Sequence, residues 1–152
     1  MGLREDIDLL KGLSIFDGLS DDYLRLLAFG AERRRIERGH VLFREGAAAD
    51  CAFVVLGGLL RLSRDMPSGE DRAIGDAGPG SILTEIAMIS DANRHFTATA
   101  ETESEVMCIT RVLFHRMLQE YPEVAMATER RLRENFSSLT DALAAATTRL
   151  ER

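Results

Sequence analysis

With 152 residues and 45% hydrophobic content, the chain is long enough for one domain with a sizeable core, yet no apolar run is long enough to span a bilayer. Its formal charge of −6 argues against a dedicated nucleic-acid-binding chain, which presents a basic face. The two cysteines, Cys51 and Cys108, lack metal-ligand spacing and are too few for a disulfide scaffold; inside apolar runs they read as small buried hydrophobes in a reducing cytoplasm.

The opening stretch MGLREDIDLLKGLSIF is acidic and has no long apolar segment, so it does not read as a signal peptide. A cytoplasmic location without membrane attachment is expected. Leu3, Ile7 and Leu10 recur at helical spacing and predict a helix over 3–11. In LSDDYLRLLAFGA, Ser20 is a candidate N-cap, with Asp21 and Asp22 in the first turn. Leu24, Leu27 and Ala28 form the apolar face, and Gly30 is the expected stop.

From Glu32 to Thr110 short apolar or alternating segments follow one another: ERRRIER, HVLF, CAFVVLG, LLRLSRD, RAIGDAG, HFTATAE and EVMCIT. Gly39, Gly46, Gly57-Gly58, Pro67-Ser68-Gly69 and Gly78-Pro79-Gly80 separate them. Many short strands at regular spacing predict a β jelly roll, the double-stranded β-helix, within an α+β domain that has helices at both ends. The basic run ERRRIER reads as a solvated strand face. His40 and His115 have no ligand cluster around them, and no metal is expected. Met88, Met107, Met117 and Met126 read as core filler.

Val112, Leu113, Met117 and Leu118 restore helical spacing over 111–119, and Pro122 opens a last helix in a position that suits proline. Residues 122–152 then form a helix of roughly 45 Å belonging to the same domain as residues 1–121. Leu132, Phe136, Leu139, Leu143, Ala146 and Leu150 step by four and three, a heptad seam. The seam predicts a parallel homodimer; packing of the stripe on the domain's own barrel is the alternative.

The chemistry-bearing stretch is GPGSILTEIAMISDANRHFTATA, residues 78 to 100. A glycine-rich turn leads into a short apolar helical turn, whose first backbone N–H groups lack intrahelical partners and favour an anion. Arg94 offers a planar fork of donors suited to phosphate, and Glu85 an acceptor suited to a sugar hydroxyl. The same residues admit a plainer reading, in which Thr84 caps the turn and Glu85 and Arg94 form a structural ion pair. No catalytic arrangement is present: there is no nucleophile elbow, no P-loop lysine and no conspicuous carboxylate pair. Three scattered histidines do not supply the metal set of a cupin-type enzyme.

From IFDGLSDDYLRLLA onwards the sequence resembles the cyclic nucleotide-binding domain of Crp/Fnr regulators, kinase regulatory subunits and gated channels. Gly39, Gly46, Gly58 and Gly80 match its glycine punctuation, and TEIAMI with NRHFTATA falls at its phosphate-binding cassette. The resemblance implies a cyclic nucleotide effector, cAMP or cGMP. Glu85 would accept from the ribose 2′-hydroxyl, Arg94 would pair with the cyclic phosphate, and the amides of Thr84, Glu85 and Ile86 would complete the cradle. Leu62, Ile74 and Leu83 would wall the pocket, with His95 beside the phosphate and Leu139 or Thr140 closing over the base. Thr84, His95 and Phe96 depart from the family's Gly, Ser/Thr and Ala, and Asn135 stands where some relatives carry an arginine. Thr84 and Phe96 would narrow the pocket, while His95 replaces a phosphate-facing hydroxyl with a titratable donor. Crp/Fnr transcription factors continue into a helix-turn-helix, whereas this sequence ends at Arg152, so direct DNA binding is not expected. The resulting expectation is a non-enzymatic sensor that signals through its last helix to an unidentified partner protein. Its alternative is a dimeric interaction module that kept the fold and lost the nucleotide.

Overall fold

The computed structural model describes residues 2–134, apart from residues 124, 125 and 128. Helix α1 spans Leu3–Lys11 and α2 spans Asp21–Gly30, with a short 3₁₀ turn, Ser14–Phe16, between them. Ser20 Oγ accepts from the Tyr23 amide at 3.4 Å, the expected N-cap, and Leu24, Leu27 and Ala28 are buried. Ten strands follow: β1 Glu32–Ile36, β2 Val41–Phe43, β3 Ala48–Ala49, β4 Cys51–Gly57 and β5 Leu60–Asp65. They continue with β6 Asp71–Ala77, β7 Ile82–Leu83, β8 Ala92–Asn93, β9 Thr97–Ala100 and β10 Ser104–Thr110. Helix α3, Arg111–Glu120, comes next, and helical backbone resumes at Pro122. The three two-residue strands, β3, β7 and β8, are too short to carry an alternation and have no counterpart among the expected segments.

All strand pairing is antiparallel. One sheet has the order β1-β10-β4-β7 and the other β2-β9-β5-β6, with β3 and β8 paired separately. Two facing sheets linked in this way are the expected jelly roll. The central strands explain why CAFVVLG and EVMCIT read as nearly unbroken apolar runs. Along β4, Ala52, Val54 and Leu56 join one buried cluster with α1, α2 and α3. Cys51, Phe53 and Val55 point to the other face and join a second cluster inside the roll. In β10, Met107 and Ile109 take the helix side and Val106 and Cys108 the roll side. A strand covered on both faces needs apolar residues at both parities.

The packing corrects several expectations. Helix α2 stops at Gly30 as expected, but without the positive φ of a left-handed cap; the missing side chain there leaves room for Leu113 of α3, whose Cδ1 would lie 2.6 Å from a Cβ. Val112 and Met126, assigned to apolar faces, are 65% and 61% exposed, while Phe114 is fully buried. Met88, Met107 and Met117 are in the core. Leu132, the first residue of the heptad seam, is buried in this chain's own helical cluster, so at that position the stripe packs intramolecularly. Phe136, Leu139, Thr140, Leu143, Ala146, Leu150 and Asn135 lie outside the described residues. No helix among the described residues is long and apolar enough to cross a membrane.

Candidate functional site

Of the residues singled out in the sequence, Leu62, Ile74, Leu83, Thr84, Glu85, Ile86 and His95 line one cavity of about 310 Å³. Leu62 and Arg64 reach it from β5, Ile74 from β6, and Ile82 and Leu83 from β7. Thr84, Glu85 and Ile86 form its next edge, and His95 and Phe96 enter from the segment before β9. The volume sits near the lower end of the range for small-molecule sites, with mostly apolar walls and a few polar groups. Phe96 lines the cavity without filling it, leaning on Phe43 with ring centroids 5.6 Å apart.

Thr84 is the strained point of the edge. It adopts φ +58° and ψ +48°, and is alone among the described non-glycine residues in having a positive φ. Its side chain does not cap the following 3₁₀ turn, Glu85–Met88, so the capping reading is corrected. The left-handed turn itself requires this conformation, which glycine enters freely and a β-branched residue does not. Glu85, the first residue of the turn, is half-buried, and burial pushes its carboxyl above the ordinary carboxylate value.

Arg94 lies in a different setting from the one expected. It is only 5% exposed and is not among the cavity-lining residues. Its backbone is fixed by the Ala47 carbonyl, which accepts from its amide at 2.8 Å, and by the Gly46 amide, which donates to its carbonyl at 2.8 Å. The guanidinium carbon lies 4.5 Å from the Phe43 ring centroid and 4.9 Å from that of Phe53. Those rings are themselves stacked, 5.8 Å apart and 14° from parallel. Nη2 donates to Cys51 Sγ at 3.5 Å, and Nη1 is buried with no hydrogen-bond partner. Phe53 is the ladder partner of Leu83, which lines the cavity, so this cation lies next to the cavity wall.

Glu85 and Arg94 form no ion pair with each other, nor does either pair with another side chain of opposite charge among the described residues. The plain salt-bridge reading is therefore corrected. Sequence reasoning also missed participants. Arg64, two residues beyond Leu62 on the same strand, lines the cavity and holds Glu45 only at 3.6 Å. Phe43, Phe53 and Cys51 surround Arg94, and their inward parity on the strands was the available signal. Arg111, the first residue of α3, donates from Nε to the Ala87 carbonyl at 3.1 Å, and from Nη2 to Ala49 and Ser90 carbonyls at 3.1 and 3.0 Å.

Comparison with known proteins places this geometry. Residues 33–121 match the family model described as the cyclic nucleotide-binding domain. A solved structure of a cyclic nucleotide-binding-like protein from Brucella abortus is 41% identical and has a TM-score of 0.70, covering 76% of this chain and 98% of that one. The cyclic AMP receptor protein of Thermus thermophilus is 27% identical over 129 residues, 82% of this chain and 60% of the relative. A lysophospholipase, nte1 of Neurospora crassa, is 32% identical over 98 residues, 64% of this chain but 6% of the relative. The chain thus spans less than two thirds of these two curated relatives. It belongs to the cyclic nucleotide-binding domain family.

Proposed function

We propose that this member of the cyclic nucleotide-binding domain family is a non-catalytic sensor that takes a cyclic mononucleotide, cAMP or cGMP, into the cavity edged by Thr84, Glu85 and Ile86. The observation that carries the reading is Arg94: a guanidinium 5% exposed, with one nitrogen unpartnered and no carboxylate in reach among the described residues. Burying a cation costs several kcal/mol unless an anion or a full set of acceptors compensates. Ring faces recover about 2 kcal/mol of this when desolvated. A cyclic phosphate entering the neighbouring cavity supplies the missing acceptors, and a guanidinium is the side chain best shaped to take it. Glu85, half-buried and unpaired, is the acceptor for a ribose hydroxyl. Leu62, Ile74 and Leu83 provide apolar walls for the base.

Output would pass through α3. Arg111 grips the carbonyl of Ala87, so a shift of the 85–88 turn is felt at the first residue of that helix. The ligand moves the helix only if it binds the shifted state more tightly, and a 100-fold preference provides about 2.7 kcal/mol. We assign recognition of the shifted helix to a partner protein, and dimer formation to the stripe from Phe136 to Leu150. Leu139 and Thr140 are the residues assigned to close over the base. Isothermal calorimetry with cAMP and with cGMP tests the binding step. Saturable binding of one nucleotide per chain is expected, and no heat with either at high micromolar concentration overturns it.

The second reading, a module that lost its nucleotide, has one observation in its favour: Phe96 lines the cavity as a bulky ring packed on Phe43. It loses the ion pair between Glu85 and Arg94 that it would need to neutralise the vacant site.

A further inference from the structure

We infer that Cys51, with the stacked rings of Phe43 and Phe53, is a positioning residue that stores Arg94 away from the cavity until the phosphate of a nucleotide displaces it. The inference rests on the reading that Arg94 serves a cyclic phosphate. It adds that the arginine has an internal partner competing for the same donors.

The geometry is specific. Cys51 Sγ is the one side-chain acceptor that the buried guanidinium reaches among the described residues, at 3.5 Å from Nη2. The rings cover the cation and offer it no hydrogen-bond acceptor. On β4 Cys51 faces Thr110, and Cys108 on β10 faces Phe53, so the two thiols are diagonal neighbours on the same inward face. A neutral thiol is a weak acceptor, whereas a thiolate is a full counter-ion for a buried guanidinium. The surroundings favour the thiolate at Cys51. The hydrogen bond from Cys108 is the largest influence, burial opposes it, and the Arg94 guanidinium adds to it, drawing the thiol down to about 7. Cys108 moves the other way, pushed up because ionising it would break that hydrogen bond.

The other charges facing this cluster act less directly. Asp50, next to Cys51 in the chain, works against its ionisation. Arg34 lies 5.6 Å over the Phe53 ring and, with Glu32, acts on Cys108 with opposite signs. His95 lines the cavity, as does Glu85, whose carboxyl burial holds above its ordinary value.

The sign follows from competition. Above the Cys51 midpoint the ligand-free protein holds a thiolate–guanidinium pair that the nucleotide must break. When Arg94 leaves, the thiolate loses its counter-ion and takes up a proton. Binding therefore weakens as pH rises through neutrality, by at most about tenfold per pH unit for one proton.

The experiment has two arms on the full chain. Calorimetry with cAMP and cGMP, from below to above neutrality and in buffers of different ionisation enthalpy, is run on wild type, Cys51→Ala and Cys51→Ser. Wild type is expected to take up a proton and lose roughly three- to tenfold in affinity across the range. Cys51→Ala should bind more tightly than wild type at the alkaline end and lose that slope. Cys51→Ser keeps a hydroxyl acceptor that does not titrate and should also be flat. A wild-type slope that persists in Cys51→Ala overturns the inference, as does a flat wild-type profile. The second arm needs no nucleotide. The ultraviolet absorbance of thiolate is titrated in wild type, Arg94→Leu and Arg94→Lys. The Cys51 midpoint should rise in Arg94→Leu and remain near wild type in Arg94→Lys, which keeps the cation. An unmoved midpoint in Arg94→Leu overturns the pairing whether or not nucleotide binds. Absence of nucleotide binding in every variant strikes the sensor reading instead and leaves the thiol titration to decide the pairing.

Discussion

Arg111 donates from Nε to the carbonyl of Ala87 at 3.1 Å, so the first residue of α3 holds the end of the turn that begins at Glu85. The same guanidinium reaches the Ala49 and Ser90 carbonyls, and the Arg111 amide donates to the Asp50 carbonyl at 3.0 Å. Ala87 is fully buried, so its carbonyl would have no water to replace the arginine. Arg111→Ala is expected to lower unfolding free energy by about 2–3 kcal/mol, as read by urea denaturation, because a charged donor is removed and an acceptor is orphaned. The partner Asp91 is fully solvent-exposed, and Asp91→Asn should leave stability unchanged within error. A loss at Asp91 as large as that at Arg111 would mean that the ion pair, not the carbonyl clamp, holds the turn.

Thr84→Gly should stabilise the protein. The left-handed backbone at φ +58° costs a β-branched residue on the order of 1–2 kcal/mol, and its side chain caps nothing in return. Glycine gives back about 0.5–1 kcal/mol through the entropy of the unfolded chain. The net expectation is a gain of about 0.5–1 kcal/mol, seen as a rise of roughly 1–4 °C in thermal midpoint. A fall in midpoint would show that the threonine methyl or hydroxyl makes a stabilising contact at the cavity edge.

Gly58 presents the reverse case. Its φ is +86°, and a Cβ would meet Ser104 Oγ and lie 2.7 Å from Ser104 Cα, backbone that cannot swing aside. Gly58→Ala is expected to destabilise by about 2 kcal/mol or more. Gly39 shares the positive φ but has open space around it, so Gly39→Ala should cost clearly less in the same denaturation series.

The sequence announced most of this architecture where residues obey a period. Ser20 with Asp21 and Asp22 marked a helix start, and the apolar runs CAFVVLG and EVMCIT marked the strands β4 and β10. The short strands β3, β7 and β8 escaped because two residues cannot display alternation. Val112 was misplaced since helical spacing identifies a face only to within one residue's rotation, and Phe114 supplies the buried contact instead. At the site, the glycine-rich turn and the short helical turn after it pointed to an anion site, but the cavity edge from Leu83 to Ile86 was reached through the resemblance of TEIAMI to the family's cassette. The placement of Arg94 against Phe43 and Phe53 was not legible, because it depends on which strand pairs with Leu83, and that is a property of topology.

Glu85→Gln separates stability from binding through pH. Burial raises the folded-state midpoint of this carboxyl above its ordinary value near 4.5. Between the two midpoints the folded chain holds more protons than the unfolded chain, so stability falls as pH rises through that window and then levels off. A glutamine has no charge to bury. The variant should therefore be more stable than wild type at neutral pH, with the difference vanishing under acid conditions where Glu85 is neutral in both states. Thermal midpoints measured across the acid-to-neutral range check this, and a constant difference at all pH values would contradict it. Nucleotide affinity should move the opposite way, falling about tenfold with loss of the anionic acceptor.

Phe96→Ala distinguishes a narrowed nucleotide site from a lost one. The ring is half-buried, lines the cavity and leans on Phe43 at 5.6 Å with a 48° tilt, so it is both wall and packing. Its removal should cost about 1–2 kcal/mol, less than a fully buried phenylalanine because part of the ring already faces solvent. The same change enlarges the cavity beside Thr84 and Glu85 without touching Arg94 or its contacts with Phe53 and Cys51. If Phe96 merely trims the pocket, calorimetry should show wild type binding cyclic nucleotide and Phe96→Ala binding it several-fold more tightly. If wild type is silent and the variant binds, the ring alone blocks an otherwise competent site. If both are silent while the variant remains folded, space was not the obstacle, and the unpaired Glu85 and buried Arg94 are relics within an interaction module.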